Sequence, residues 1–346
     1  MVDDSPLVTV LMPVFNGEKY LAEAIESILH QTFRDFEFLI IDDGSIDGTA
    51  EILHRYALQD KRIRLHHHQT NQGLIAALNK GLELARGKFI ARMDQDDVSL
   101  PERLAKQVDF LETNPEIGVL GTLVQIMDGS GNISYTWPYF TQHDALRWCL
   151  CFFNPIMHPA VMMRREIVER AGGYSSDMVD AEDYDLWRRL SNLTRLSNLP
   201  DVLLHLRLHE ANVSKVHFSE QQRNSVRISS MMISHILNEE VPHSQVQRLW
   251  DREFKTASDV RQAAELVYRL YQAIIANGDF SPIEKQAIRR DAAIRMCVLT
   301  RQWVNNVSVW GVLAQACYLD PLLVLRVAKV LLLRLFKMRP SPWGAL

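Results

Sequence analysis

Cysteine is scarce: Cys149, Cys151, Cys297 and Cys317 are four residues in a chain of 346. They are too few and too irregularly spaced for a disulfide framework, and Cys149 and Cys151 form C-x-C, not the C-x-x-C of a redox pair. Glycine and proline are also sparse, at 15 and 13, while apolar residues make up 47% and charged residues 23%. That composition excludes collagen-like, low-complexity and largely disordered chains. Excess positive charge is missing as well. A net charge of −4 is not the balance of a protein that lives on nucleic-acid phosphates, so no nucleic-acid partner is expected. The opening residues Met-Val-Asp-Asp-Ser carry no basic n-region and no apolar h-region, which argues against a cleaved signal peptide and predicts a cytoplasmic, reducing location. No run of about 20 residues is apolar enough for a transmembrane helix. The nearest, residues 302–319, contains Asn305, Asn306 and Gln315.

Two nucleotide signatures are absent: no G-x-G-x-x-G follows the first apolar run, and no G-x-x-x-x-G-K-[ST] occurs anywhere. The first of these absences disfavours a nicotinamide-dependent oxidoreductase. What is present is alternation. Residues 7–14 and 36–41 are apolar runs rich in β-branched residues, as in strands buried on both faces, and between them Leu21, Ile25, Ile28 and Leu29 recur at helical spacing. Asp47 or Ser45 can cap a helix running to Leu58, residues 63–66 read as a third strand, 74–85 as a helix and 88–93 as a fourth strand. Such alternation predicts an α/β fold with a mostly parallel sheet, whose ligands bind beyond the carboxyl ends of the strands. Further on, a helix from Ser99-Leu100-Pro101-Glu102 to about Thr113, a strand over 117–127, a helix over 182–190 and a strand over 202–208 are expected. Long helical patterns take over from Phe218, which places a domain boundary near residue 216.

Acidic residues crowd the predicted strand ends. Asp42 and Asp43 follow the second strand, and Asp94, Asp96 and Asp97 follow the fourth. Three carboxylates in four residues repel one another unless a cation compensates them, and hard divalent ions take one or two carboxylates plus substrate phosphates. A solvated loop leading to a helix cap at Ser99 accounts for the same residues. Between the first strand and its helix, Pro13-Val14-Phe15-Asn16-Gly17-Glu18 offers backbone groups and an aromatic ring to a base.

Taken in order, these pieces resemble the family 2 glycosyltransferases. The carriers are Val8-Thr9-Val10-Leu11-Met12-Pro13-Val14-Phe15-Asn16, Ile41-Asp42-Asp43-Gly44-Ser45, Asn71-Gln72-Gly73, Ala91-Arg92-Met93-Asp94-Gln95-Asp96-Asp97 and Leu100-Pro101-Glu102-Arg103. Downstream stand Gly172-Gly173-Tyr174, Glu182-Asp183-Tyr184-Asp185-Leu186-Trp187, Arg207-Leu208-His209 and Asn212-Val213-Ser214. The resemblance covers residues 5–215 and not 216–346. It implies a GT-A type, Rossmann-like fold as the catalytic domain, with 216–346 as a helical extension. It also implies an inverting, metal-dependent transferase using a nucleotide-sugar donor, UDP in the first instance, and a glycan or glycolipid acceptor in surface polysaccharide biosynthesis. Carried over residue by residue, Pro13, Val14, Phe15, Asn16 and Glu18 line the nucleotide pocket, with Asp42 and Asp43 toward the base. Asn71, Gly73 and Arg92 lie near the nucleotide and Asp94 near the ribose. Asp96 is the main ligand of Mn²⁺ or Mg²⁺, His209 a second ligand, and Asp183 the catalytic base. A helix cap at Asp183 is the competing structural role. A catalytically silent sugar-nucleotide-binding or assembly protein on the same fold is the competing function.

Other residues fit less specific roles. His66-His67-His68 is read as an exposed loop without carboxylate partners, although a metal tract has the same composition. His158 fits an acceptor pocket or a structural turn equally, and Trp137, Trp148 and Trp187 fit sugar stacking or the core. After Asp320 there is no acid, while Arg326, Lys329, Arg334, Lys337 and Arg339 supply +5, so the first 320 residues carry −9. On a helix, four of these bases share an arc of about 140°. Residues 321–339 thus suit a membrane surface at the inner face of the cell membrane, or equally a helix packed on the catalytic domain or in a dimer.

Overall fold

The computed structural model describes residues 5–136, 140–209, 218–303 and 305–323. Trp137, Asn212-Val213-Ser214 and most of the basic apolar segment lie outside them. Two compact units, residues 1–225 and 226–346, divide between Ser225 and Val226.

In the first unit, β1 (Val8–Val14) and β2 (Phe36–Asp42) are buried along their whole length, as their largely apolar runs require, and the buried Thr9 and Glu37 bond each other (2.6 Å). Between them α1 (Leu21–Leu29) buries Leu21, Ala24, Ile25 and Ile28, one stripe of a 3.6-residue period. The helices α2 (Thr49–Gln59) and α3 (Leu74–Leu84) flank β3 (Ile63–His67), and β4 (Phe89–Arg92) follows. β3, β2, β1 and β4 are neighbours in that order and parallel throughout. Val14 pairs with Asp42 and Asp42 with His67, so the carboxyl ends of three strands lie level.

The rest of the unit comprises β5 (Val98–Ser99), α4 (Arg103–Thr113), β6 (Ile117–Asp128), β7 (Ile133–Thr136), α5 (His143–Cys149), β8 (Met162–Arg164), α6 (Arg165–Arg170), α7 (Glu182–Leu190) and β9 (Arg195–Leu208). β8 runs antiparallel between β4 and β6, β9 is parallel to β6, and β5 caps the edge antiparallel to β9. A buried polar clamp joins these layers. Arg103 donates to the Arg92 carbonyl (2.6 Å) and Gln107 to those of Leu120 and Ala160 (3.1 and 2.9 Å).

Among the described residues five α-helices follow: α8 (Phe218–Leu237), which spans the division, then α9 (His243–Asp251), α10 (Ala257–Asn277), α11 (Pro282–Thr300) and α12 (Trp310–Leu319). Thr256 with Asp259 and Ser281 with Glu284 form capping boxes that start α10 and α11. No helix among the described residues is long and apolar enough to cross a membrane.

Candidate active site

The loop after β1 is held against its neighbours by side chains from two other loops. The Phe15 amide donates to Gln95 (2.8 Å), and Gln95 donates back to the Phe15 carbonyl (3.1 Å). Asn16, at φ 49°, donates its amide to Ser45 Oγ (2.9 Å) and accepts from the Ile46 amide (2.9 Å). Glu18 accepts from the Gly48 amide (2.8 Å). Pro13 and Val14 are buried below, and Phe15 stays exposed at the rim. Ser45 is thus engaged by Asn16, and Asp47 bonds the Thr49 amide (3.0 Å) just inside α2, whose flanking Gly48 offers no side-chain cap.

Asp42 and Asp43 are both buried. Asp43 accepts from the amides of Gln72 (3.0 Å) and Gly73 (2.7 Å), and Asn71 Oδ1 bonds the same Gly73 amide (2.9 Å). The reading of His66-His67-His68 as an exposed loop without carboxylates is overturned. β3 runs through His67, whose Nδ1 lies 2.8 Å from Asp42 Oδ2, and His68 is buried with Nδ1 2.7 Å from Asp43 Oδ1. Only the strand register reveals this.

Asp94, Asp96 and Asp97 each offer an oxygen within 4.8 Å of the others. Burial, then the neighbouring Asp94 charge, raises Asp96 above the usual carboxylate range, and Asp97 is raised well above it by burial, Asp94 and Asp96. Asp97 Oδ2 is buried without a hydrogen-bond partner. Crowded hard oxygens, one of them unsatisfied, fit a divalent cation. Asp96 Oδ2 also meets His209 Nε2 at 2.8 Å, which brings the residue directly after β9 to this loop. Arg207 braces the arrangement. Its amide bonds Asp97 (2.8 Å), its Nε the Asp96 carbonyl (2.8 Å) and its Nη2 Glu23 (2.6 Å), while its guanidinium lies 4.5 Å over the Tyr20 ring.

Arg92 connects this loop to the helix that carries Asp183. It is buried, ion-paired with Asp94, and its charge is felt by Asp183, Glu182, Tyr174 and His158. Burial opposes its ionisation, but Asp94 prevails and holds its pKa above the ordinary value. Asp183 sits in the first turn of α7, half-buried. The helix-cap role does not apply: Ala181 occupies the capping position, and Asp183 Oδ1 accepts from the adjacent Tyr184 amide (2.6 Å). Burial pushes Asp183 up to about 6, against the Tyr184 amide, Arg92 and Asn154. Burial and the Asp183 charge push Glu182 up to about 8. His158 occupies a buried 3₁₀ turn, 2.9 Å from the Tyr174 hydroxyl, and burial and Arg92 keep its ring neutral. Trp148 and Trp187 are fully buried, which removes them as sugar platforms.

A family model for glycosyl transferase family 2 matches residues 9–172. A glycosyltransferase of Haemophilus influenzae is 33% identical over 246 residues, 68% of this chain and 76% of that one. The chain belongs to glycosyl transferase family 2. The O-antigen biosynthesis glycosyltransferase WbnJ of Escherichia coli is 34% identical over 213 residues, 60% of this chain and 82% of that one. In the fold, residues 1–349 of S. aureus TarS, solved with UDP-GlcNAc, match with a TM-score of 0.54 at 18% identity, covering 90% of this chain and 91% of that chain. The architecture is accordingly of the GT-A type. The sequence motifs of this family member come together as β1, β2 and β4 loops plus the first turn of α7. Gln95, Asn154, Arg207, His67 and His68 join them through contacts that no linear motif announces.

Proposed function

We propose that the protein is an inverting, metal-dependent glycosyltransferase that moves a sugar from a nucleoside-diphosphate donor, UDP in the first instance, to a hydroxyl of a glycan or glycolipid in surface polysaccharide assembly. The arrangement that carries this reading is the Arg92 bridge, with the aspartate loop on one side and Asp183 within reach of the same charge on the other. In this reading Pro13, Val14, Phe15, Asn16 and Glu18 form the nucleotide pocket. Asp42 borders the base, and Asp43 holds the Gln72 and Gly73 amides, which keeps Asn71 and Gly73 at its edge. Arg92 orients Asp94 toward the ribose.

Asp96, with His209, would hold Mn²⁺ or Mg²⁺, and such an ion supplies positive charge to the departing diphosphate. Asp183 takes the proton of the acceptor hydroxyl as that oxygen forms its bond to the anomeric carbon. The bond from that carbon to the β-phosphate oxygen breaks on the opposite face, its electron pair leaves with the nucleoside diphosphate, and configuration inverts. Residues 321–339 rest on an anionic membrane surface, near a lipid-borne acceptor.

Asp183→Asn tests the assignment. Transfer should fall by at least a thousandfold while a UDP-sugar still raises the melting temperature in the presence of Mn²⁺. Robust transfer by this variant removes Asp183 as base. A silent assembly protein would bind donor but neither transfer nor hydrolyse it, with or without Mn²⁺.

A further inference from the structure

Three hydrogen bonds tie α7 to the segment that precedes the His158 turn. The Tyr184 hydroxyl donates to the Leu150 carbonyl (2.7 Å), and Trp187 Nε1 donates to the Ile156 carbonyl (3.3 Å). Between them Asn154 Nδ2 donates to Asp183 Oδ2 at 2.8 Å. The outer two hold helix and segment together whatever stands at position 154. The middle one alone reaches the reacting carboxylate.

The orientation of the Asn154 amide is determined. Its Oδ1 accepts from the Ile156 amide (3.1 Å), and an ionised carboxylate can only accept, so the NH₂ group must face Asp183. With Tyr184 on Oδ1 and Asn154 on Oδ2, each oxygen of Asp183 has one fixed donor and keeps a lone pair for a proton. We propose that Asn154 is a positioning residue for Asp183: it fixes the carboxylate's orientation and stabilises its ionised form, so that the acceptor hydroxyl meets an oxygen ready to take its proton. This rests on the reading of Asp183 as the base.

The surroundings explain why such a donor is needed. Glu182 lies beside Asp183 in the same turn, with Asp180 just before and His158 Nδ1 4.0 Å from the Glu182 carboxyl. The Tyr174 hydroxyl, itself buried, responds to both carboxyls. Burial favours a protonated Asp183. The Tyr184 amide, the charge of Arg92 from β4, Asn154 and the backbone of Asp183 itself oppose it. Of these, Asn154 supplies a side-chain hydrogen bond to the carboxylate and is itself anchored by the Ile156 amide of its own turn.

The test is the pH dependence of kcat between pH 5 and 9 for Asn154→Ala and the isosteric Asn154→Asp, at saturating donor and Mn²⁺. The acidic limb should move upward by about one unit in Asn154→Ala and further in Asn154→Asp, which replaces a donor by another acid. kcat should drop about fivefold at pH 6 and recover most of this by pH 8 in Asn154→Ala. The donor-induced melting shift should be unchanged, and both variants retain the Tyr184 and Trp187 ties that support a native transition. A loss uniform across pH, or a limb that stays in place, overturns the proposal. If Asp183→Asn is itself active, the base reading fails. If it is inactive while the limb stays in place, only the role of Asn154 fails.

Discussion

Two neighbouring carboxyls at the start of α7 titrate as a pair, with apparent values of about 6 and about 8, because burial and mutual repulsion disfavour the doubly ionised state. The proposed base, Asp183, must be unprotonated to act, so transfer should fall as pH drops through about 6, and the limb should vanish in Asp183→Asn. A rate–pH profile of the wild type checks this, and a flat profile between pH 5 and 7 would contradict it. The aspartate loop makes the opposite kind of prediction. Asp96 is held charged with difficulty between burial and Asp94, so Asp96→Asn relieves repulsion in the metal-free protein. The variant should unfold at higher temperature without metal, by an amount on the order of 1 kcal/mol. It should also show no stabilisation by Mn²⁺, whereas the proposed site predicts that Mn²⁺ stabilises the wild type. Calorimetry with and without Mn²⁺ reads both, and a variant still stabilised by Mn²⁺ would remove Asp96 as a ligand.

At the level of elements, the site depends on how loops from separate strands fit against one another. Gly44 lies at φ 74°, and a Cβ there would stand 2.6 Å from the Thr70 carbonyl carbon and 2.7 Å from the Asn71 nitrogen, both backbone. Gly44→Ala should therefore cost about 2 kcal/mol and displace the Asn71–Gly73 edge, weakening donor binding. Gly73→Ala meets open space at φ 91° and should cost only backbone strain, about 1 kcal/mol. Equal melting temperatures for the two variants would refute this difference. The same interlocking explains what was legible. β1, β2 and β4 were readable because strands buried on both faces leave largely apolar runs, and the acidic ends of β2 and β4 followed directly. β8 has three residues and is recognised only by its antiparallel partners. Of β9, only the stretch from Val202 onward was expected. Its first half carries Asn198, Pro200 and Asp201, where the register with β6 shifts. His67 against Asp42 and Asn154 against Asp183 are contacts across 25 and 29 positions, set by register and loop closure rather than by local pattern.

Across the whole molecule, charge and apolar surface are unevenly distributed. Residues 302–319 contain no charged side chain. On α12, Trp310 and Tyr318 remain 55% and 74% exposed, with Leu322 beyond them at 67%. Positions 310, 314 and 318 are one face of a helix, and here that face is Trp, Ala and Tyr. Arg289 donates to the Tyr318 carbonyl (2.9 Å), placing a base beside that face. The five bases after Asp320 continue the same character in sequence. Aromatic residues at a headgroup boundary with cations alongside suit an anionic bilayer, where each nearby Lys or Arg contributes about 1 kcal/mol. Deleting 321–346 should therefore lower the fraction bound to phosphatidylglycerol-containing vesicles at least tenfold, and raising salt should release the intact protein. Trp310→Ser with Tyr318→Ser should weaken binding to the same vesicles while leaving transfer to a water-soluble acceptor intact. Binding that survives both changes would assign this face and the basic segment to packing within the protein or between copies.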